Sequence, residues 1–328
     1  MKRKKMSYAK YGYFFCIPFA VAFLLFQLYP IVFTLIIGFT DLKTLPTNEW
    51  HFLDDIFGNF KKVLGQETFW TAFGNTWLLW ITNFIPQIVL ALLLAAIFTD
   101  NRSKIKGQGF FKVVFYMPNI ITAATIAVLF TNFFGYPKGP VNDLFHALGI
   151  TASDNNIYFF QNKTVARGVV SFIQFWMWYG YSMIVFISGI LGISPEIFEA
   201  AEVDGASRVQ QFFHVTLPNI KTIMLFSLVT SLIGGLQMFD IPHLLVSKNG
   251  PSNATLTTSC YIYNKAFDGK HFYGQGAAAS MFMFLIIAVL ASIMFYVMRD
   301  KDEAKLNKLM RQQTREFKKA QKALKGGN

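Results

Sequence analysis

The sequence predicts an all-α, polytopic membrane protein with six transmembrane helices. Three observations carry that prediction: its composition, the length of its apolar runs and the uneven placement of its cations. Of 328 residues, 53% are hydrophobic, 15% are charged and 37 are Phe. A chain this apolar cannot assemble a soluble surface, and a bilayer is its natural solvent. The charged residues crowd into the two ends and a few short segments between long apolar runs, the layout of a chain that threads a membrane repeatedly.

A helix crossing about 30 Å of hydrocarbon needs about 20 mostly apolar residues. Six stretches reach that length: residues 13–39, 71–98, 110–134, 165–192, 222–246 and 276–298. The first follows Lys2, Arg3, Lys4 and Lys5 and so begins like a signal peptide. Its apolar part is too long for one and no small-residue cleavage site follows, so it reads as an uncleaved helix. The chain then divides into a basic N-terminal segment (1–12), a transmembrane domain (13–298) and a basic tail (299–328).

Six spans put both termini on one side. That side carries 21 Lys and Arg against 9 on the other, while the acidic residues divide 9 and 9, so the whole net charge of +12 lies with the termini. The positive-inside rule makes both termini cytoplasmic and the protein a multi-pass component of the cell membrane. The same placement removes nucleic acid as a partner, because the cations sit beside hydrophobic runs rather than interleaved with aromatics on one surface. In the tail, Leu306, Leu309, Met310, Phe317, Ala320 and Leu324 recur at helical spacing among ten Lys and Arg. That pattern reads as a basic amphipathic helix for the anionic inner leaflet, with membrane lipid as its partner.

Cys16 and Cys260 stand far apart and no Cys or His pair has metal-ligand spacing, so both thiols read as structural and no metal site is expected. No nucleophile with a base and no paired carboxylates occur at one membrane depth, which argues against an intramembrane enzyme. The spans do hold polar or helix-disturbing residues: Asn75, Asn83, Pro86, Gln87, Pro118, Asn119, Gln174, Gln237 and Asp240. Such groups are costly in hydrocarbon and face other helices or a wet cavity, so a bundle with an internal pathway is implied. Trp176, Tyr179, Gln237, Phe239 and Asp240 are the candidates for lining it. The rings of Trp176, Trp178, Tyr179 and Tyr181 could stack on a sugar, although Trp and Tyr at this density also serve as packing and interface anchors.

One loop, residues 194–218, is richer in information than the rest. Ser194 and Pro195 suit the start of a short helix, and Glu196 and Glu199 favour its positive end. Gly205 releases the chain into a turn, and a second helix runs from about Ser207 to His214, ending before Pro218. Small Ala200, Ala201 and Ala206 allow close approach. Glu199, Glu202 and Asp204 offer carboxylates, and Phe198, Phe212 and Phe213 offer apolar anchors. This suits a knob inserted into a groove on another protein.

At this point the residues resemble a known family. Glu199-Ala200-Ala201, Asp204-Gly205-Ala206 and Leu217-Pro218 match the EAA signature of binding-protein-dependent ABC importer permeases in sequence, spacing and side of the membrane. The likeness extends over most of the chain. It is closest to the sugar-permease branch, the A-type subunits of maltose and glycerol-phosphate permeases, through Tyr29-Pro30, Asn75-Thr76, Tyr116-Met117-Pro118, Phe239-Asp240 and Gly250-Pro251. Lys248-Asn249 departs from the glycines usual before that Gly-Pro, and no second proline follows Pro218 closely.

The resemblance implies the type I ABC importer permease fold, with the 194–218 loop as a coupling helix. Its docking set would be Glu199, Ala200, Ala201, Asp204, Gly205, Ala206, Leu217 and Pro218, with Glu199 as the acidic contact and Gly205 as the turn. It also implies partners: a second homologous permease subunit in a heterodimer, two copies of a cytoplasmic ATP-binding subunit and an extracytoplasmic solute-binding protein. No cofactor is expected on this chain, and ATP and Mg would belong to the partner ATPase. Consistently, no phosphate-binding Gly-rich loop is present: the one Gly-Lys, Gly269-Lys270, is followed by His271. The chain is therefore expected to be a transport subunit, not an enzyme. The rival readings are a secondary transporter driven by an ion gradient, and a same-type importer for glycerol phosphodiesters or amino acids.

Overall fold

The structure is a computed structural model that describes residues 9–42, 50–100, 105–152, 154–246, 249–268, 271–298, 309–310, 312–314 and 316. The basic N-terminal cluster at residues 2–5 lies outside these residues. So do Leu306, Phe317, Ala320 and Leu324 of the expected tail helix. Leu309 and Met310 are described, and both are exposed.

Helices account for every long element among the described residues. α1 (Ala9–Phe23), a π turn (Leu24–Leu28) and α2 (Tyr29–Ile37) form one apolar stretch, Tyr11–Ile37, none of it buried within the chain. After the short α3 (Gly58–Leu64) comes α4 (Glu67–Thr99), unbroken over 33 residues despite Pro86. α5 (Gln108–Ile120) and α6 (Ala123–Phe133) follow, then α7 (Pro140–Ala147) and α8 (Lys163–Leu191). The hairpin comprises α9 (Pro195–Val203), α10 (Arg208–Gln211), a second π turn (Phe212–Thr216) and α11 (Leu217–Asn219). Next come α12 (Lys221–Leu236), α13 (Asp240–Leu245), α14 (Thr258–Phe267) and α15 (Tyr273–Met298).

Five of these stretches are long and apolar enough to cross a membrane, and a sixth is reached if a bent pair counts as one span. That pair is α5 and α6, which meet at 92°, where one span holding the helix-disturbing Pro118 was expected over 110–134. Pro118 lacks a donor and crowds the preceding turn, so the helix stops soon after it. Thr122 then restarts the chain as an N-cap, accepting from the Thr125 N–H at 3.3 Å. The fifth span is also interrupted: α12 ends at Leu236 and α13 begins at Asp240. Within this break the Met238 oxygen is taken up from the start of α14, Thr257 donating to it at 2.8 Å, while the Phe239 oxygen accepts from the His243 N–H of α13 at 3.0 Å.

The chain forms two compact units. The first comprises residues up to Asn83, Ile121–Gln174 and Gly234–Ile286; the second comprises Phe84–Ile120, Phe175–Ile233 and the residues from Ile287. The core of the first unit gathers Val63, Phe69, Ala72, Leu256, Cys260, Tyr261 and Ala279. Beside it Asn75 donates to the carbonyls of Asn253 at 2.7 Å and Leu256 at 3.1 Å. The core of the second unit joins Ala91, Ala95 and Phe98 of α4 to Met183, Phe186, Ile187 and Ile190 of α8 and to Ile220. α8 also closes on α5 at Gly180, where a Cβ would stand 2.0 Å from the Phe115 carbonyl oxygen.

Most of the polar groups noted in the spans act as interhelical or intrahelical fasteners. Gln87 donates to Ser182 Oγ at 2.8 Å, Asn119 to the Met177 carbonyl at 3.2 Å, and Asn83 to the Leu79 carbonyl one turn back at 2.6 Å. Gln237 differs, being exposed at the break in the fifth span.

Candidate functional site

The 194–218 segment folds as a helical hairpin within the second unit. Pro195 occupies the first turn of α9, where its missing N–H costs nothing. Ser194 stands at the N-cap, but its side chain makes no capping bond. At the other end the chain closes by backbone alone: the N–H of Asp204 reaches the Ala200 carbonyl at 3.0 Å, and that of Ala206 reaches the Ala201 carbonyl at 2.9 Å. This closure needs a left-handed residue between them, and Gly205 supplies it at φ 76°. Nothing lies within 4 Å of where a Gly205 Cβ would stand, so the glycine serves the turn and leaves the tip open.

The second limb begins with a full capping box. Ser207 Oγ accepts from the Gln210 N–H at 3.3 Å, and Gln210 Oε1 accepts from the Ser207 N–H at 2.8 Å. The helix then runs on through Pro218 to Asn219 instead of ending before it. The π turn makes this possible: the Leu217 N–H bonds back to the Phe212 carbonyl, five residues away, so the helix is already widened where the proline ring would clash. Tyr29-Pro30 has the same arrangement, with the Tyr29 N–H on the Leu24 carbonyl.

The hairpin has an inner and an outer face. Phe198 and Leu217 pack on the core built from α4, α8 and Ile220, and Ala201 and Ala206 are half-buried. Glu199, Ala200, Asp204, Gly205 and Pro218 are exposed. Of the three phenylalanines expected as outward anchors, Phe198 therefore points into its own chain, because Phe198 and Ala201 share the inner face at i, i+3 spacing. The outward apolar residues are Ile197, Val203, Val209 and Phe213, with Val203 88% exposed beside the turn. Val203 and Val209 escaped the sequence reading, although a valine immediately before Asp204-Gly205 was the available signal. Arg208 ties the second limb to the end of α4 through an ion pair with Asp100, Nη1 to Oδ2 at 3.1 Å.

The candidate pathway residues are divided between the units. In the second unit Trp176 is half-buried, and Tyr179, only 8% exposed, packs on Phe175 and Phe115 at ring distances of 5.6 Å and 6.2 Å. The ring left outward there is Trp178. In the first unit Gln237 and Asp240 are exposed around the break in the fifth span, and Asp240 opens α13, where a helix dipole favours a carboxylate. Phe239 stacks on His243 at 4.7 Å and meets Tyr263 at 5.1 Å. The break has its own steric requirement: a Cβ at Gly235 would stand 1.9 Å from the Trp80 ring.

Known proteins resemble this chain over most of its length. The lactose transport system permease protein LacF of Rhizobium radiobacter is 30% identical over 303 residues, covering 90% of this chain and 97% of that protein. The arabinooligosaccharides transport system permease protein AraP of Bacillus subtilis is 29% identical over 282 residues, covering 86% of each. Among solved structures, a bacterial ABC transporter involved in the import of the acidic polysaccharide alginate superposes with a TM-score of 0.75 at 25% identity, covering 88% of this chain and 94% of that one. The expected importer-permease fold is thereby met. Residues 76–303 match the family described as binding-protein-dependent transport system inner membrane components, and the chain belongs to that family.

Proposed function

We propose that this chain forms part of the carbohydrate pathway of an ATP-driven importer, and that the 194–218 hairpin couples it to a separate cytoplasmic ATPase. The observation that carries this reading is the hairpin itself. It presents an open glycine turn beside Val203 and Asp204 and exposes Glu199, Ile197, Val209 and Phe213 along its limbs, while its inner face is fixed to its own core. A tip that combines exposed apolar side chains with carboxylates suits insertion into a cleft of another protein.

The functional unit in this reading comprises a second homologous permease subunit, two copies of the ATP-binding subunit, which hold the ATP and Mg, and an extracytoplasmic solute-binding protein. Both termini lie in the cytoplasm, as the cation asymmetry requires. Closure of the paired ATPases would move the hairpins and switch access to the pathway between the two sides. A carbohydrate cargo, in particular an oligosaccharide, is supported by the lactose, arabinooligosaccharide and alginate transport for which the similar proteins are named.

Reconstitution of the complex in proteoliposomes tests this. Uptake should require internal ATP and the partner ATPase and persist with a proton ionophore; the reverse pattern would establish an ion-gradient transporter. Glu199→Lys and Gly205→Arg should each abolish ATPase assembly or uptake, and retention of both activities would remove the coupling role. Binding assays on the cognate external protein, with oligosaccharides set against amino acids and glycerol phosphodiesters, decide the cargo.

A further inference from the structure

We infer that Asp100 and Arg208 act as positioning residues that tie the coupling hairpin to the end of the second span. Movement imposed on the hairpin would then reach α4 directly, and not only α8 and α12, which flank the hairpin in sequence. The inference rests on the proposed docking role of the hairpin.

Helix electrostatics alone account for neither residue. Asp100 directly follows the last residue of α4, where the negative end of the dipole disfavours a carboxylate; Arg208 opens α10, where the positive end disfavours a guanidinium. Placed 3.1 Å apart, each charge offsets the unfavourable position of the other. The Asp100 side chain is only 23% exposed, so solvent screens the pair less than it would two fully exposed partners.

Arg208 is held at a defined place because the Ser207–Gln210 capping box fixes the turn that carries it. A second attachment of independent character runs through the core to which α4 contributes. Phe198 of the first limb and Leu217 of the second pack on a cluster containing Ala91, Ala95 and Phe98 of α4. Both limbs thus rest by apolar contact on the core that α4 shares with α8 and Ile220, and the second is also tied to the end of α4 by charge. The end of α4 is itself capped from the next helix: the Phe98 carbonyl accepts from the Gln108 side chain, and Lys112 Nζ lies 5.8 Å from the Phe98 ring centre. A push on Arg208 therefore meets an anchored helix end rather than a frayed one.

The test uses the whole reconstituted transporter and reads solute imported per ATP hydrolysed. Asp100→Arg and Arg208→Asp should each lower that ratio about two- to fivefold with the ATPase still co-purifying, and the double exchange should restore it to within about twofold. Single variants with an unchanged ratio, or a double exchange as poor as the worse single, would overturn the inference. If the reversals impair assembly, Asp100→Asn and Arg208→Gln replace them, and an unchanged ratio in both has the same consequence. Lack of ATP-dependent uptake by the unsubstituted complex would instead count against the proposed function.

Discussion

Arg167 places its Nη2 2.6 Å from Oδ1 of Asn75, 92 residues away in sequence, and its Nε 3.0 Å from the Ala254 carbonyl. Asn75 in turn holds the carbonyls of Asn253 and Leu256, and the neighbouring Thr76 Oγ1 lies 3.0 Å from Thr258 Oγ1. One guanidinium and one amide therefore fasten the irregular segment before α14 to α4 and α8.

Asn75→Ala should destabilise the protein by about 2 to 3 kcal/mol, since it strips a buried and a partly buried carbonyl of their donor and a guanidinium of one of its acceptors at once. Thermal unfolding in detergent measures the loss. Limited proteolysis should find new cleavage within residues 249–257 before the rest of the chain opens.

Gly180→Ala and Gly168→Ala lie in one helix and should have opposite signs. At Gly180 the added Cβ would stand 2.0 Å from a backbone oxygen, whereas at Gly168 nothing lies within 4 Å. The first should cost about 1 to 3 kcal/mol through forced separation of α8 from α5. The second should gain about 0.5 to 1 kcal/mol from helix propensity. Melting temperatures of the two variants, measured side by side, check the contrast.

Gly205→Asn and Gly205→Val separate backbone conformation from space. Both side chains fit the open surroundings, but the left-handed φ of 76° is tolerated by Asn and disfavoured for a β-branched residue. Uptake should survive largely in the Asn variant and fall at least severalfold in the Val variant. Equal loss in the two would mean that the tip rejects any side chain.

Tyr261, whose hydroxyl donates to Gln66 Oε1 at 3.0 Å, has its pKa pushed up to about 12 by burial, from 10.0. A phenol raised in the folded state ionises first in the unfolded chain, so stability is intact below pH 10 and falls as pH rises from there towards 12. Unfolding midpoints between those pH values should fall in the unsubstituted protein. They should fall less steeply in Tyr261→Phe, which starts lower by about 1 kcal/mol for the lost hydrogen bond.

Apolar run length was enough to locate the spans, because a helix of about 20 apolar residues has no other stable setting. Its limit shows at the breaks. Pro118 in the third span and Gln237 and Asp240 in the fifth read as polar or helix-disturbing residues within continuous spans, yet the first marks a 92° bend and the others a rupture. Hydropathy is blind to both; at the rupture the Met238 carbonyl finds its donor on Thr257, remote in sequence.

The hairpin marks the same boundary. Sequence alone determined that residues 194–218 fold into two short helices about a glycine, because Pro195, Gly205 and Ser207 act through their own backbone neighbourhoods. It also determined membrane residence, which depends only on summed transfer energies. Tertiary structure decided which side of the hairpin faces outward, turning Phe198 and Leu217 into the core and leaving Val203 and Val209 exposed, and it decided that Arg208 meets Asp100. Those outcomes depend on the angle at which one helix lies on another. That angle is set by side chains far apart in the chain, so no local pattern records it.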